Sequence, residues 1–222
     1  IRKSLVGSEM CIRDRVDQET DSSRAFIRQL AWRDWYAHLM DASPEILNSP
    51  ANPVYNNIEW RNNTEEFDLW VQGKTGYPIV DAGMRELKET GFMHNRVRMI
   101  TGSFLVKHLL IDWRWGEQYF RHTLIDGDTS QNVGNWQWVA GTGFDAAPYF
   151  RIFNPIRQSE KFDKEGIYIR KWVPCPNSHR YPLNKFTHHG RQTRKVPNSQ
   201  ASVLARTILS RLLNIPSHVS DA

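Results

Sequence analysis

Across residues 64–125 the apolar side chains of this chain recur every three or four positions, and nowhere do they alternate with period two over a useful length. That spacing loads one stripe of an α-helix, whereas on a strand the same residues would scatter over both faces. The middle of the chain is therefore predicted to be all-α. Thr64, followed by Glu65 and Glu66, opens a short helix, because a capping hydroxyl and first-turn carboxylates suit the positive helix end. Gly73 closes it. Pro78 sits at the first turn of "PIVDAGMRELKET", which Gly91 ends. A longer helix is expected over about residues 94–110, with Val97, Ile100, Phe104, Leu105 and Leu109 as its stripe, and another over roughly 117–125. Upstream, residues 21–40 carry Phe26, Ile27, Leu30, Ala31, Trp35, Leu39 and Met40 on one broad face, with Gln29, Trp32, Arg33 and Tyr36 on a distinct one. Pro44 stops that helix, and residues 56–63, with Trp60 among them, read as loop.

Several function classes are excluded early. The two cysteines, Cys11 and Cys175, form no CxxC or zinc spacing, which points to a reducing compartment. No apolar run approaches the ~20 residues of a membrane span, and the start lacks the apolar stretch of a signal peptide. The net charge of +5 is misleading: after Glu165 nine bases face the single acid Asp221, so the body is mildly acidic. A basic tail of this kind is weak evidence for nucleic-acid binding. No GxSxG, Walker loop or GxGxxG is present.

The chemistry concentrates in three further stretches. "NVGNWQWVAGTGFDAAPYFRIFNP", residues 132–155, sets two tryptophans one residue apart among Asn and Gly. That spacing suits neither a core helix nor a core strand, and the stretch reads as a site-bearing loop. "LIDGDTSQN" offers Asp126 and Asp128 across Gly127 at a helix end, able to bind a metal, cap a helix or receive arginine and ligand N–H groups. With no third acid or His nearby, metal binding is the weaker reading. "GFMHNRVRMI" gathers His94, Asn95, Arg96, Arg98 and Met99 at a helix start, where Arg98 calls for an acidic partner. Carboxylates, an arginine, an asparagine amide and a ring of aromatics suit a planar, hydrogen-bonding heterocycle better than a hydrolytic reaction.

"WVQGKTGYPIVDAGMRELKETGFMHNRVRMITGSFLVKHLLIDWRWGEQYF" together with "LIDGDTSQNVGNWQWVAGTGFDAAPYFRIFNP" resembles the flavin-binding domain of the photolyase/cryptochrome family, most of all the class I cyclobutane pyrimidine dimer photolyases. The resemblance covers about residues 21–173 and implies an all-helical FAD-binding domain, light-driven electron donation from reduced FAD, and repair of pyrimidine dimers in DNA. By that resemblance FAD would be held by Phe26, Gln29, Arg33, Tyr36, Arg98, Asp126, Gly127, Asp128 and Asn132, with Arg98 pairing to Asp126 and Asn132 beside flavin N5. Trp136, Trp113 and Trp60 would pass electrons from the surface. Gln29, Trp32, Asn95, Arg96, Met99, Trp138 and Arg157 would contact the flipped dimer and its strand. Photolyases are among the enzymes that take their target out of the base stack. The resemblance further implies a monomer in the bacterial cytoplasm, associated with the nucleoid through DNA.

Two departures qualify it. Gln29 stands where many class I photolyases have a glutamate, so a cryptochrome-type photoreceptor or a (6-4) photolyase stays open as the alternative. A cofactor-free helical nucleic-acid binder is a third reading, which predicts steep salt dependence and no photochemistry. The N-terminal α/β antenna domain is absent from residues 1–222, so a folate or deazaflavin antenna is expected only in an intact parent. Residues 1–20 read as a non-native leader and residues 174–222 as a basic tail, frameshifted or disordered, within which "ASVLARTILSRLLNI" has the spacing of one helix.

Overall fold

The computed structural model describes residues 20–144 and 151–173. Residues 1–19 of the leader, the basic tail and the late helix expected at residues 201–215 lie outside the described residues, whereas Thr20, counted with the leader, is described. Among the described residues there is no strand. The chain divides into two compact units between Leu47 and Asn48.

The first unit holds α1 (Asp21–Ala42) and a 3₁₀ turn (Pro44–Leu47). Thr20 caps α1: its hydroxyl accepts from Ser23 N at 3.1 Å while Ser23 Oγ accepts from Thr20 N at 3.0 Å, so two orphan donors are satisfied reciprocally. The two faces expected on α1 are not separate. Trp32 meets Trp35 edge-on at 5.3 Å and Tyr36 at 6.3 Å, because residues three and four apart are neighbours on a helix surface. Ile27, placed on the apolar face, is 41% exposed.

The second unit runs through a 3₁₀ turn (Pro53–Asn57), α2 (Thr64–Val71), α3 (Pro78–Thr90), α4 (Asn95–Ser103), a π-helical turn (Phe104–His108), α5 (Trp113–Thr123), α6 (Thr129–Ala140), α7 (Pro155–Phe162) and α8 (Ile167–Trp172). The cap of α2 is Asn63 rather than Thr64, its Oδ1 accepting from Glu66 N at 2.9 Å. The single helix expected over residues 94–110 widens after Ser103 and continues as the π turn, where Leu109 N donates to Phe104 O five residues back. The helix expected from 117 begins at Trp113, since the Asp112 side chain accepts from Arg114 N at 3.0 Å and so caps an earlier start. The sequence pattern missed α7 and α8, although Asn154 followed by Pro155 is a start signal: Asn154 Oδ1 accepts from Ile156 N and Arg157 N.

The largest correction concerns residues 132–140, read as loop. They are the body of α6, opened by Asp128 and closed at Gly141. Two tryptophans two apart on a helix lie about 200° apart around its axis. Trp136 accordingly turns inward, 4% exposed, while Trp138 is half-buried on the other side. The unusual spacing reflects two opposed faces of one helix.

Trp70 lies at the centre of the core, fully buried. Its indole stacks on Phe67 at 5.7 Å and on Phe120 at 6.0 Å, and meets Trp136 edge-on at 6.3 Å. Trp70 Nε1 donates to Thr101 O at 3.1 Å, so α2, α4, α5 and α6 converge on one side chain. Gln137, buried at 2%, ties α6 to the entry loop: its Oε1 accepts from Ala51 N and its Nε2 donates to Ser49 O, each at 3.0 Å.

Lys107 of the π turn is buried, and its Nζ donates to Ala140 O at 2.9 Å, at the negative end of α6. Burial pushes its ammonium down to about 7. The unfolded chain therefore binds more protons than the folded one between about pH 7 and the ordinary lysine range. Stability should rise with pH across that window, by up to about 1.4 kcal/mol per pH unit. Thermal unfolding of wild type and Lys107→Met at pH 7 and pH 9 checks this: the rise belongs to wild type and should vanish in the variant. Equal pH dependence in both proteins would reject it.

Candidate functional site

Arg98 and Asp126 come together through a backbone contact between two turns. Gly91 ends α3 with φ +68°, a left-handed conformation that favours glycine, and its carbonyl accepts from Ile125 N at 2.9 Å. A Cβ on Gly91 would lie 2.7 Å from Ile125 Cγ2. This contact brings the segment before α4 against the turn between α5 and α6. Arg98, on the first turns of α4, then reaches Asp126 through Nη2, at 3.0 Å to Oδ1 and 2.8 Å to Oδ2. Its Nε donates to Met93 O at 2.6 Å, and its guanidinium lies 5.5 Å from the centre of the Phe92 ring.

Past Gly127, Asp128 caps α6. Its Oδ1 accepts from Gln131 N at 3.0 Å and from Ser130 Oγ at 2.6 Å. Of the three uses open to the aspartate pair, the structure shows an arginine contact at Asp126 and a helix cap at Asp128. Among the described residues no group of three or more His, Cys, Asp or Glu could hold a metal ion.

Asn132 lies one turn into α6. Its Nδ2 donates to Glu117 O at 2.9 Å and to Glu117 Oε1 at 3.0 Å. A carbonyl and a carboxylate only accept, so the NH₂ end of the amide faces Glu117 and the remaining polar atom, Oδ1, is an acceptor. Glu117 is 4% exposed and also takes Arg121 Nε and Nη2 at 2.6–2.8 Å. Sequence reasoning missed Glu117. The signal was an acid standing within the helical stripe Trp113, Gly116, Glu117 and Phe120.

The three tryptophans expected to relay electrons lie on α6 (Trp136), at the start of α5 (Trp113) and in the loop before α2 (Trp60). Trp136 rests on two glycines. A Cβ on Gly116 would lie 2.2 Å from Trp136 Cη2, and one on Gly102 3.5 Å from Trp136 Cζ3. Trp113 starts α5, one turn before Gly116, and is 1% exposed. The Trp60 loop is hooked to the segment just before Trp113: Arg61 N donates to Leu110 O at 2.8 Å, and Asp112 N donates to Asn62 Oδ1 at 2.9 Å. Trp60 itself is partly exposed. Burial thus decreases from Trp136 and Trp113 to Trp60.

Asn95, Arg96 and Met99 follow the His94 cap on α4, and the backbone N of Arg96 donates to His94 Nδ1 at 3.1 Å. Trp138 is half-buried on α6 with the Arg151 guanidinium 5.8 Å from its ring, a contact the sequence did not suggest. Arg157 is exposed on the first turn of α7. In the first unit, Gln29, Trp32 and Arg33 are exposed along α1, while Phe26 and Tyr36 are half-buried. No helix among the described residues is long and apolar enough to cross a membrane.

The donor set of the second unit fits the polar edge of a flavin. Acceptor-only carboxylates, an arginine and an oriented amide stand at one end of α4, α5 and α6, with aromatic side chains behind them, and a flavin ring presents alternating donors and acceptors on a flat frame.

Comparison with known proteins agrees with this chemistry. Residues 26–208 match the family described as the FAD binding domain of DNA photolyase. The chain is 54% identical over 156 residues to a deoxyribodipyrimidine photo-lyase of Vibrio cholerae, covering 70% of this chain and 33% of that protein. Among solved structures it is similar to a bacterial class III photolyase from Agrobacterium tumefaciens, at 42% identity and TM-score 0.77, over 88% of this chain and 44% of that one. It is also similar to a Synechocystis cryptochrome at 35% identity and TM-score 0.77, over 90% of this chain and 45% of that one. The chain spans between about a quarter and a little over a third of the length of the curated relatives it matches.

Proposed function

Since this chain belongs to the family of FAD-binding domains of DNA photolyase, we infer that its second unit holds FAD at the Arg98–Asp126–Asn132 end and that the protein repairs cyclobutane pyrimidine dimers in DNA. The observation that carries this reading is the coupled placement of Arg98 on Asp126 and of the Asn132 amide on Glu117. Reduced FAD, when bound at these residues, would supply light-driven one-electron donation to the dimer.

The rest of the chemistry belongs to the protein. Asp126, its charge balanced by Arg98, accepts from ring N–H groups, with Gly127 and Asp128 beside it. Asn132 offers an acceptor oxygen toward N5, because Glu117 occupies its NH₂ end; an acceptor there favours a protonated N5. Taken by itself, the first unit carries Phe26, Gln29, Arg33 and Tyr36 on α1, the residues that the family resemblance assigns to the cofactor. Trp136, Trp113 and Trp60 form a relay by which an electron enters from the surface, Trp60 being the partly exposed member and Trp113 and Trp136 the buried ones. Within the second unit, Met99 and Trp138 wall the flipped dimer, while Asn95, Arg96 and Arg157 bind it and its strand; on the first unit, Trp32 and Gln29 are the residues that the family resemblance assigns to the same substrate. Stacking on such walls contributes about 1–3 kcal/mol per base, which offsets the few kcal/mol of unstacking. The protein acts as a monomer on DNA in the cytoplasm.

The test is retention of flavin. FAD is added in excess to the purified chain and removed by gel filtration, and the visible spectrum is read. Wild type should retain flavin absorbance, and Asp126→Asn should bind about 10- to 100-fold more weakly, the loss expected when a charged hydrogen-bond acceptor is removed. A colourless wild type would show that this end of the fold does not hold FAD by itself. Unchanged affinity in Asp126→Asn would remove Asp126 from the site.

The cryptochrome reading keeps one observation in its favour, Gln29 in place of a glutamate. Light-dependent loss of dimers from an irradiated oligonucleotide separates the two, since only a photolyase splits them.

A further inference from the structure

Phe162 ends α7 with 48% of its surface exposed, a costly position for a phenyl ring in water. Two cations cover it. The Arg96 guanidinium lies 4.7 Å over the ring centre and the Lys161 ammonium 5.4 Å from it. Among the described residues neither cation forms an ion pair with a carboxylate. Arg61, Arg98, Arg114 and Arg121 each do. Asp163 follows Phe162 in sequence, yet its oxygens accept from Tyr168 N and Ile169 N instead. Glu160 precedes Lys161 and makes no ion pair with it.

The choice of partner decides what Arg96 can do. A carboxylate would take the in-plane N–H donors of the guanidinium and cancel its charge. An aromatic ring holds the same group by its face and competes for none of those donors. Two like charges gathered on one ring also raise the local positive potential, which an incoming anion relieves. On α4 the contrast is direct: Arg98 is neutralised by Asp126, while Arg96, two residues earlier, is held by a ring.

We propose that Arg96, Phe162 and Lys161 form a phosphate-binding station for a DNA strand, with Phe162 as the positioning residue that orders the Arg96 guanidinium while leaving its N–H edge to the phosphate. The proposal rests on the DNA-repair reading above and adds Phe162 and Lys161 to it. A phosphate contact carries no sequence information. The station therefore strengthens binding to dimer-containing and dimer-free DNA by the same factor.

The test is fluorescence anisotropy with labelled duplex oligonucleotides, with and without a dimer, between about 50 and 200 mM salt, where loss of one phosphate contact lowers the salt slope by about one. Arg96→Gln and Lys161→Gln should each lower the slope by that amount. Phe162→Leu should weaken both duplexes equally, about 2- to 5-fold, the range of an exposed cation–π contact. Phe162→Trp should bind at least as tightly as wild type, because indole is the better cation partner. In a background of Arg96→Gln, Phe162→Leu should weaken binding less than it does alone, a coupling that a general loss of packing would not produce. Wild-type-like binding by Phe162→Leu, or full additivity with Arg96→Gln, overturns the positioning role while leaving the DNA-repair reading intact. A wild-type chain with no salt-dependent binding to either duplex overturns both.

Discussion

Replacing Trp70 by alanine should remove most of the stability of the second unit. The indole is fully buried, stacks on Phe67 and Phe120, and donates to Thr101 O. Truncation of a buried tryptophan costs about 3–5 kcal/mol through lost transfer energy and the cavity left behind. Here it also strips the Thr101 carbonyl of its side-chain donor, which adds on the order of 1 kcal/mol. Against a typical stability of about 5–15 kcal/mol, little remains. Trp70→Phe keeps a ring and should lose only about 1–3 kcal/mol. Urea denaturation of the three proteins measures this, and a midpoint for Trp70→Ala close to that of wild type would show that the stack does not hold α2 to α5.

Gly116→Ala should be the other severe change, for the opposite reason. A glycine-to-alanine change inside an exposed helix normally stabilises by about 1 kcal/mol. At Gly116 the new methyl would lie 2.2 Å from Trp136 Cη2 and 2.6 Å from Leu105 Cδ2. Either α5 and α6 separate or the Trp136 ring moves. Overpacking of this kind costs about 1–3 kcal/mol, occasionally more. The sign of the effect is thus diagnostic: a more stable Gly116→Ala would refute the close packing. Combining it with Trp136→Phe should recover part of the loss, because the smaller ring vacates the contested space, and thermal unfolding of the double variant reads that non-additivity directly.

Both changes bear on the candidate site. Asn132 and Trp136 lie one turn apart on α6, and Glu117 follows Gly116 on α5. A shift between these helices would move the Asn132 amide away from the Glu117 atoms that orient it. Loss of flavin retention alongside loss of stability in Gly116→Ala is the expected result.

Sequence alone determined the helical class, the start and end of α3, and the residue types at the candidate site. Those features are local: apolar spacing selects helix, Pro78 and Gly91 fix the ends of one helix, and the quoted motifs carry the family. Caps were less legible, as at Asn63 and Asp112, because a capping side chain and the residue after it look alike in sequence. The stretch around Trp136 and Trp138 was misread because its periodicity reports two faces packed against different surroundings, and one strand of text holds no record of what lies on each side. The Arg98–Asp126 pair, 28 residues apart, was expected from the family resemblance and is present; only the tertiary structure decided that Glu117 turns the Asn132 amide and that Arg96 meets Phe162. Each joins elements separated by turns whose geometry is set by the Gly91–Ile125 contact, the Trp70 stack and the glycines beneath Trp136. Such contacts form only when several helices bury their faces together, so they are properties of the packing and leave no local pattern to read.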